Sequence, residues 1–327
     1  MANDIYHKIS KRIVDKAGDV LRNEPQNEEA LEVLDTWRTM HAAPLQKAVA
    51  VISELYQEST TSPSSRLKRS VSIIEKLERM PEMKLSRMQD IAGVRLVEAG
   101  FFNRGLLSAF HVLREYSYRE KPKASGYSAH HLVLSLNGDC YKDFQIELQF
   151  RTYLEHLWAM AVETVGMFYG EALKASQGNE DWLEFFKLAS AALSHIERRT
   201  IIAEYANKGI EDIRNELREW GLKKTFFSKL SAIKEVGERT PEKKYDYWLL
   251  ELNIKKSENR IYGFVSNQLE TATAMYAAKE RTPACLRGDV QVVLVSTQRF
   301  KDLRAAYPSY FLDVAEFVRV LNDFCGQ

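Results

Sequence analysis

The segment IELQFR at residues 146–151 alternates strictly between apolar and polar side chains. Successive side chains of an extended strand point to opposite faces, so Glu147, Gln149 and Arg151 share one face while apolar residues occupy the other. The apolar face is typical of a strand that packs on a core, and the polar face then presents a carboxylate, an amide and a guanidinium together. The pattern predicts a sheet strand with one packed face and one face available for chemistry.

Length and composition are those of an ordinary globular protein. The 327 residues suffice for one large domain and a smaller one, and 45% hydrophobic with 28% charged residues is a typical balance. The formal charge of +1 argues against binding of nucleic acid over the whole surface, although it is compatible with a local basic patch. Residues 1–20 lack an apolar core of signal-peptide length, and no apolar run is long enough to span a bilayer. We therefore expect a cytoplasmic protein.

The three cysteines, Cys140, Cys285 and Cys325, are scattered along the chain and form no C-x-x-C pair. Their number and spacing fit a reducing compartment, and they predict neither a disulfide framework nor a zinc knuckle.

Hydrophobic periodicity indicates an N-terminal helical region at residues 1–57 and a central region at 58–230, which opens on a Ser/Thr/Pro-rich loop at 58–70. The central region alternates between the two kinds of element, with strands predicted at 90–99, 130–137 and 143–151 and helices at 104–116, 153–170, 180–198 and 200–220. An Asn-Gly-Asp sequence at 137–139 is a hairpin signal between the second and third of these strands.

The polar stretch at residues 231–246 predicts a domain boundary, followed by a small C-terminal α/β domain at 240–327. Its predicted elements are a strand at 246–254, a helix at 262–280, a strand at 289–296 and a helix at 312–324. Such a unit suits a regulatory or oligomerisation domain that restrains the rest of the chain. A stabilising appendage is the alternative.

Four clusters of polar residues follow one another in the central region. Ordered along the chain, they are Arg66, Lys68, Arg69, Ser72 and Lys76; Asp90 and Arg95; Lys121, Lys123, Gly126, Tyr127 and His131; and Glu147, Gln149 and Arg151. Taken singly, each has a structural alternative: a solvated helix face, a strand-end turn, or a tyrosine packed on its own strand. Taken together, two carboxylates on separate strands among many cations are what metal-assisted phosphoryl chemistry requires, with Asp90 and Glu147 able to hold Mg²⁺.

The clusters read Arg66-Leu-Lys68 with Ser72 and Lys76, then DIAGVR, KASGYSAHH, IELQFRT and WAMAVE. In this order and spacing, over roughly residues 60–170, they resemble the synthetase domain of the RelA/SpoT family, which transfers pyrophosphate from ATP to a ribose 3′-hydroxyl. The resemblance implies a nucleotidyltransferase-like α/β fold: a mixed sheet flanked by helices, with the N-terminal helical layer and the C-terminal α/β domain beside it.

The resemblance also implies a role for each matching residue. Asp90 and Glu147 are the implied catalytic residues and magnesium ligands, and Glu147 takes the proton from the acceptor hydroxyl. Arg66 and Arg95 would sandwich the adenine of ATP, and Lys68, Ser72 and Lys76 would hold its triphosphate. The implied acceptor site consists of Lys121, Lys123, Tyr127, His131 and Gln149, with the base stacked on Tyr127.

The chain departs from the family pattern at three positions. Ser125 stands where the family has asparagine, Ala129 where it has serine, and Glu75 where it has lysine. These changes leave both carboxylates in place but put the identity of the acceptor in doubt. The H-D-x-x-E-D element of the family's hydrolases is absent from the sequence, so we expect no hydrolase activity.

Three functions are compatible with this sequence. The first is a synthetase that makes guanosine tetra- or pentaphosphate from ATP and GDP or GTP. The second is a growth-inhibiting toxin that pyrophosphorylates the 3′ end of tRNA, and the third is a nucleotide-binding regulatory module without catalysis. An oligomer or an antitoxin-like partner is compatible with each of them, whereas a membrane partner is not expected.

Overall fold

The computed structural model describes residues 9–56, 63–97, 106–137, 143–169, 173, 176–223, 230, 245–256, 258–296, 303, 306–311 and 314–326. The strands are β1 (Ser64–Leu67), β2 (Ala92–Val97), β3 (Phe110–Ser117), β4 (His130–Leu136), β5 (Ile146–Arg151), β6 (Tyr247–Asn253), β7 (Glu258–Phe264) and β8 (Val290–Ser296). The helices are α1 (Lys11–Asn23), α2 (Glu28–Met40), α3 (Ala42–Leu55), α4 (Ser70–Arg79), α5 (Leu106–Ala109), α6 (Tyr153–Tyr169), α7 (Glu180–Ile196), α8 (Ile210–Lys223), α9 (Leu269–Glu280), α10 (Pro283–Leu286) and α11 (Ala315–Cys325), with short 3-10 turns at Leu85–Arg87, Ala203–Tyr205, Ser266–Gln268 and Pro308–Phe311.

The eight strands form one mixed sheet in the order β3-β4-β5-β2-β1-β8-β6-β7, and helices lie on both faces. β5 pairs antiparallel with β4 and parallel with β2, so Gln149 has His131 on one side and Arg95 on the other. The strand that follows Asp90 is therefore the direct neighbour of the strand that carries Glu147. The mixed α/β fold class is confirmed.

The alternation along β5 separates two cores, as the sequence predicts. Leu148 and Phe150 pack with the apolar residues of β2 and β4 against α3 on the rear face. The front face, which carries Glu147 and Gln149, is enclosed by the core of α6, α7 and the C-terminal helix α11. At β5, therefore, the rear face carries apolar side chains and the front face carries polar ones.

The C-terminal strands β6–β8 extend the same sheet. β8 joins β1 through two residue pairs, Ser65 with Ser296 and Arg66 with Val295. The predicted division between residues 58–230 and 240–327 therefore separates segments whose strands share one sheet, and the domain boundaries stay a prediction. Residues 231–244, on which the boundary was placed, lie outside the described residues.

A buried ion pair connects the N-terminal helices, the central region and the C-terminal strands. Arg38 Nη1 on α2 lies 2.6 Å from Glu280 Oε2 at the end of α9. Glu280 Oε1 accepts a hydrogen bond from the backbone N–H of Ser70, the first residue of α4, at 3.1 Å. Because the first turn of a helix has unsatisfied N–H groups, Glu280 acts as the N-terminal cap of α4.

Two helix predictions are wrong because a strand takes part of the segment, and a third, at 200–220, is wrong in part because that helix begins only at Ile210. The helix expected at 104–116 is helical only at Leu106–Ala109, and Phe110–Ser117 forms β3, which pairs with β4 along its length. The helix expected at 262–280 begins at Leu269; residues 262–264 belong to β7, and Ser266–Gln268 form a 3-10 turn. In both places strand pairing outweighs a helical spacing of apolar residues.

Some predictions fall on residues that the structure does not describe. The hairpin residues 138 and 139, Cys140 and residues 98–105 are among them. Within the described part of the chain, the helices are too short or too polar to cross a bilayer.

Candidate functional site

Asp90 lies just before β2 and is held by two lysines. Its Oδ2 is 3.0 Å from Lys68 Nζ, and its Oδ1 is 2.8 Å from Lys76 Nζ. Burial alone would raise the pKa of Asp90, but the two ammonium groups outweigh burial and hold that pKa well below its ordinary value. Ser72 lies one helical turn before Lys76 on α4, so both side chains belong to the same helix face.

Glu147 on β5 is held by an imidazole and an amide. His131 Nδ1 lies 3.0 Å from Oε1, and Gln149 Nε2 donates to Oε2 at 2.5 Å. Burial acts to raise the pKa of Glu147, but His131 and the hydrogen bond from Gln149 together outweigh burial, and the pKa of the carboxyl lies below its ordinary value. Glu147 is therefore ionised at neutral pH.

Tyr127 and Arg151 close this arrangement into a ring of hydrogen bonds. The Tyr127 hydroxyl lies 2.7 Å from His131 Nε2, and Arg151 Nη2 donates to both the Tyr127 hydroxyl at 3.2 Å and Gln149 Oε1 at 3.1 Å. Arg151 is 1% exposed. All five side chains come from the paired strands β4 and β5 and from the loop before β4.

The loop that carries Tyr127 is fastened to two helices behind it. Gly126 has φ of 93°, and a Cβ there would lie 2.7 Å from Ser190 Cβ on α7, so glycine is required both by conformation and by space. Ser190 Oγ donates to the Gly126 carbonyl at 2.6 Å, and Ser128 Oγ donates to Glu155 Oε1 on α6 at 2.8 Å.

Glu155 is itself the centre of a buried ionic cluster. Arg119 binds both of its oxygens at 3.1 Å, and Arg199 Nη1 lies 3.3 Å from Oε1. Thr152 and Glu155 form a reciprocal capping box at the start of α6, with the side chain of each accepting from the backbone N–H of the other. Residues 118–129, the loop between β3 and β4 that carries Tyr127, are called the acceptor loop after the role that the resemblance implies for them. This loop is thus anchored to the helix that follows β5.

Aromatic rings line the outer side of the acceptor loop. The Tyr116 and Tyr118 rings are nearly parallel, 3° apart in orientation, with centroids 6.1 Å apart. Lys123 Nζ lies 4.4 Å from the Tyr118 ring centroid and 5.3 Å from that of Tyr127. Lys121 lies exposed on the preceding turn. The loop therefore presents cations beside rings, as the sequence predicts.

The two arginines assigned to adenine lie on neighbouring strands under the C-terminal segment. Arg95 is 6% exposed, donates from Nη1 to the carbonyl of Ala306 at 2.9 Å, and has its guanidinium 5.5 Å from the Tyr307 ring centroid. Burial, with the neighbouring Arg151 charge, lowers the pKa of Arg95 to about 9. Arg66 Nη1 lies 3.8 Å from Glu163 Oε1 on α6.

A second tyrosine of the same segment, Tyr310, lies near Arg69 and Arg66. Burial raises the pKa of Tyr310, and the adjacent Arg69 and Arg66 charges oppose that rise. Its hydroxyl donates to the Val292 carbonyl on β8 at 3.2 Å. The 3-10 turn Pro308–Phe311 thus connects the C-terminal strands to the arginines of the central region.

Sequence reasoning missed several residues of this region. Arg151 was recognised only as part of an alternating pattern, and its contact with Tyr127 depends on the tertiary structure. Glu155 had a detectable signal, the T-x-x-E capping sequence at residues 152–155. Tyr118 and Tyr307 had none, because neither lies in a motif.

Asp90 and Glu147 have the chemistry of a magnesium site. The pKa of each carboxyl lies below its ordinary value, so both are ionised at neutral pH, and the charge of Asp90 acts to raise the pKa of Glu147. In the described residues there is no group of three or more acidic, His or Cys side chains that forms a metal site by itself. The donor set therefore fits Mg²⁺ that is also held by substrate phosphates, as is usual for this ion.

Comparison with known proteins identifies the central region. Residues 65–171 match the family model described as "Region found in RelA / SpoT proteins". Over 152 residues, or 44% of this chain, the sequence is 30% identical to the uncharacterized proteins Rv1366 of Mycobacterium tuberculosis and Mb1401 of Mycobacterium bovis. The matched part is 53% of those proteins, so the chain spans about half the length of the curated relatives it matches.

Solved structures with the same kind of region were also found. One is small alarmone synthetase 1 from Bacillus subtilis bound to its product pppGpp, with 24% identity, coverage of 54% of this chain and 95% of that chain, and a TM-score of 0.38. Another is a GTP pyrophosphokinase family protein from Streptococcus pneumoniae, with 20% identity, coverage of 54% and 92%, and a TM-score of 0.38.

Proposed function

Because residues 65–171 of the chain carry the RelA/SpoT region, we propose that the protein is an ATP-dependent pyrophosphotransferase with a guanine nucleotide, GDP or GTP, as acceptor. The observation that carries this proposal is the pair of carboxylates at the front of β2 and β5. Asp90 is bound by two lysine ammonium groups, whereas Glu147 is bound by the His131 imidazole and the Gln149 amide. One carboxylate suits a phosphate-binding site and the other a site of proton transfer.

The donor would be bound on the Asp90 side. Lys68, Ser72 and Lys76 would hold the triphosphate, and Arg66 with Arg95 would bind the adenine. Planar guanidinium groups stack well on aromatic bases, and ammonium groups stabilise phosphate charge. The geometry supports this because both lysines already neutralise an anion, the Asp90 carboxylate.

The acceptor would be bound on the Glu147 side by Lys121, Lys123, Tyr127, His131 and Gln149. The ribose 3′-oxygen would attack the β-phosphorus of ATP, the bond from this phosphorus to the α,β-bridging oxygen would break, and AMP would leave. The proton of the 3′-hydroxyl would pass to Glu147, which is ionised at neutral pH. The product is the acceptor with a 3′-pyrophosphate.

Asp90 and Glu147 would hold the magnesium ion that this chemistry uses. When bound, the ion would supply neutralisation of the phosphate charge. The protein's own contribution is to keep both carboxylates ionised and to orient them, Asp90 through the lysines and Glu147 through His131 and Gln149.

A label-transfer assay tests this function. Purified protein is incubated with γ-labelled ATP and Mg²⁺, and GDP, GTP or deacylated tRNA is offered separately. Label on GDP or GTP supports the proposal. Label on tRNA instead would assign the toxin function, and binding of ATP without transfer to any of the three would indicate a silent regulatory module.

The C-terminal region is proposed to restrain donor binding. Ala306 and Tyr307 cover Arg95, the residue assigned to adenine, and Tyr310 lies beside Arg69. If ATP must displace Tyr307, then Tyr307→Ala should tighten ATP binding about 5- to 100-fold, which corresponds to a typical coupling free energy. Tyr307→Phe keeps the ring and is the matched control. Unchanged or weaker ATP binding by a folded Tyr307→Ala variant would contradict the restraint.

A further inference from the structure

We propose that Arg151 is a positioning residue that fixes the tautomer of His131 and the orientation of both Glu147 oxygens through two branches of hydrogen bonds. The inference rests on the proposed function only in that Glu147 accepts the proton during transfer. The hydrogen-bond arrangement itself depends on no substrate.

The first branch runs through Tyr127 and His131. The Glu147 carboxylate can only accept hydrogen bonds, so His131 must carry its proton on Nδ1, which lies 3.0 Å from Oε1. In the neutral ring Nε2 is then an acceptor, and the Tyr127 hydroxyl donates a hydrogen bond to it across 2.7 Å. The Tyr127 oxygen in turn accepts from Arg151 Nη2 at 3.2 Å. Each donor along the branch thus points towards Glu147.

The second branch runs through Gln149. Arg151 Nη2 donates to Gln149 Oε1 at 3.1 Å, which fixes which end of the amide is oxygen. The amide nitrogen of Gln149 then donates to Glu147 Oε2 at 2.5 Å. Both oxygens of the carboxylate are therefore held by groups that Arg151 orients.

Arg151 itself is held without a carboxylate partner in the described part of the chain. Its Nε and Nη1 atoms are buried and have no hydrogen-bond partner among the described residues. A buried guanidinium is normally paired with an acid, because an unpaired buried charge is costly. Arg151 instead directs its bonds to a hydroxyl and an amide that lead to Glu147, which is consistent with a role in orienting the site.

The ring nitrogen signals of His131 test the first branch without substrate. The protein is labelled with ¹⁵N-histidine, and the His131 signals are assigned by their loss in the His131→Gln variant. His131 should then be the neutral tautomer protonated on Nδ1. Tyr127→Phe and Arg151→Gln should both shift it to a mixture of tautomers. Arg38→Gln is the matched control, because Arg38 is similarly buried but lies in the ion pair with Glu280. It should leave the His131 tautomer unchanged.

Kinetics test the consequence for transfer. Arg151→Gln should lower kcat about 10- to 100-fold, the usual effect of removing a group that orients a functional side chain, with the KM for ATP changed less than roughly threefold. Arg151→Lys keeps the charge but not the two-way geometry, and it should recover only part of kcat. Full recovery would show that charge rather than orientation is what matters, and would overturn the positioning role.

The two proposals fail in distinguishable ways. If His131 is protonated on Nε2 in the wild type, or if Arg151→Gln leaves its tautomer unchanged, the positioning role is wrong whatever the activity. If the tautomer behaves as expected but no acceptor is labelled, the proposed function is wrong and the hydrogen-bond arrangement stands.

Discussion

The two carboxylates of the site differ in what surrounds them, although they lie at the front of neighbouring strands. Asp90 is bound by Lys68 and Lys76, whose long side chains can turn towards a phosphate. Glu147 is bound by His131 and Gln149, which are locked in turn by Tyr127 and Arg151. The proposed donor side can thus exchange partners, whereas the proposed acceptor side is held in place by its own hydrogen bonds.

The two sides of the site also differ in which parts of the chain cover them. Arg95 on the donor side lies beneath Ala306 and Tyr307, which are distant in sequence. The acceptor loop is fastened by Ser190 and Glu155 on adjacent helices of the central region. If ATP displaces the cover over Arg95, as we propose, one side of the site is preorganised and the other is not, so mutations should separate catalysis from donor binding.

The largest expected effect is that of Glu147→Gln. The amide keeps the shape but removes both the proton acceptor and the metal ligand, so transfer should fall by more than about 10³-fold. ATP binding should stay within a few-fold, because Glu147 belongs to the acceptor side. Rates and ATP dissociation constants of the purified variant check this, and wild-type turnover would refute the role of Glu147.

Asp90→Asn should separate the two sides further. Transfer in Mg²⁺ should fall on the order of 10²- to 10³-fold through loss of a metal ligand. In the absence of Mg²⁺, however, ATP should bind up to about fivefold more tightly, because Lys68 and Lys76 lose a competing carboxylate. Calorimetry with EDTA measures this, and Glu147→Gln is the control that should show no such gain. Weaker binding without Mg²⁺ would mean that the lysines do not contact the triphosphate.

Tyr127 distinguishes stacking from packing. If its ring stacks on the acceptor base, Tyr127→Ala should lower kcat/KM for the acceptor about 10- to 100-fold with little change for ATP. Tyr127→Phe should keep the acceptor KM. The ring also lies 6.3 Å from Trp158, centroid to centroid. A large fall in Tm with equal losses for both substrates would therefore mean that the ring is mainly a packing element.

Local pattern predicted the centre of the sheet well. The alternation in residues 146–151 is enough to identify β5, because successive side chains of a strand point to opposite faces and only one face packs on the core. The hairpin signal at residues 137–139 predicted that the strands now called β4 and β5 pair with each other, as they do. These features depend on residues close in sequence, and physical periodicity reports on them directly.

Long-range contacts were beyond the sequence. β3 was read as a helix because FHVLREY spaces its apolar residues compatibly with one, and only pairing with β4 makes it a strand. Likewise nothing near Tyr307 indicates that it covers Arg95, more than 200 residues earlier. The buried position of Arg151 and its bond to Tyr127 depend on how the hairpin meets α6 and α7.

Glu155 has the smallest expected effect on transfer, less than roughly threefold, because it contacts the acceptor loop from behind and neither substrate. Its effect is on stability. Burial opposes its charge, but Arg119 and Arg199 outweigh burial and lower the pKa of Glu155 below its ordinary value of 4.5. A lowered pKa in the folded state means that the ionised group stabilises the fold above pH 4.5, and that this contribution disappears as the pH falls through the lowered value.

Glu155→Gln should therefore reduce the free energy of unfolding at pH 7 by about 1–3 kcal/mol, the range for charged hydrogen bonds. The difference from wild type should shrink as the pH falls below 4.5, since protonation removes the same charge from the native carboxyl. Denaturant unfolding between pH 7 and pH 3 measures it, with Glu316→Gln on the exposed face of α11 as a control whose effect should be small throughout. A difference that is constant with pH would mean that the shape of Glu155, rather than its charge, anchors the acceptor loop.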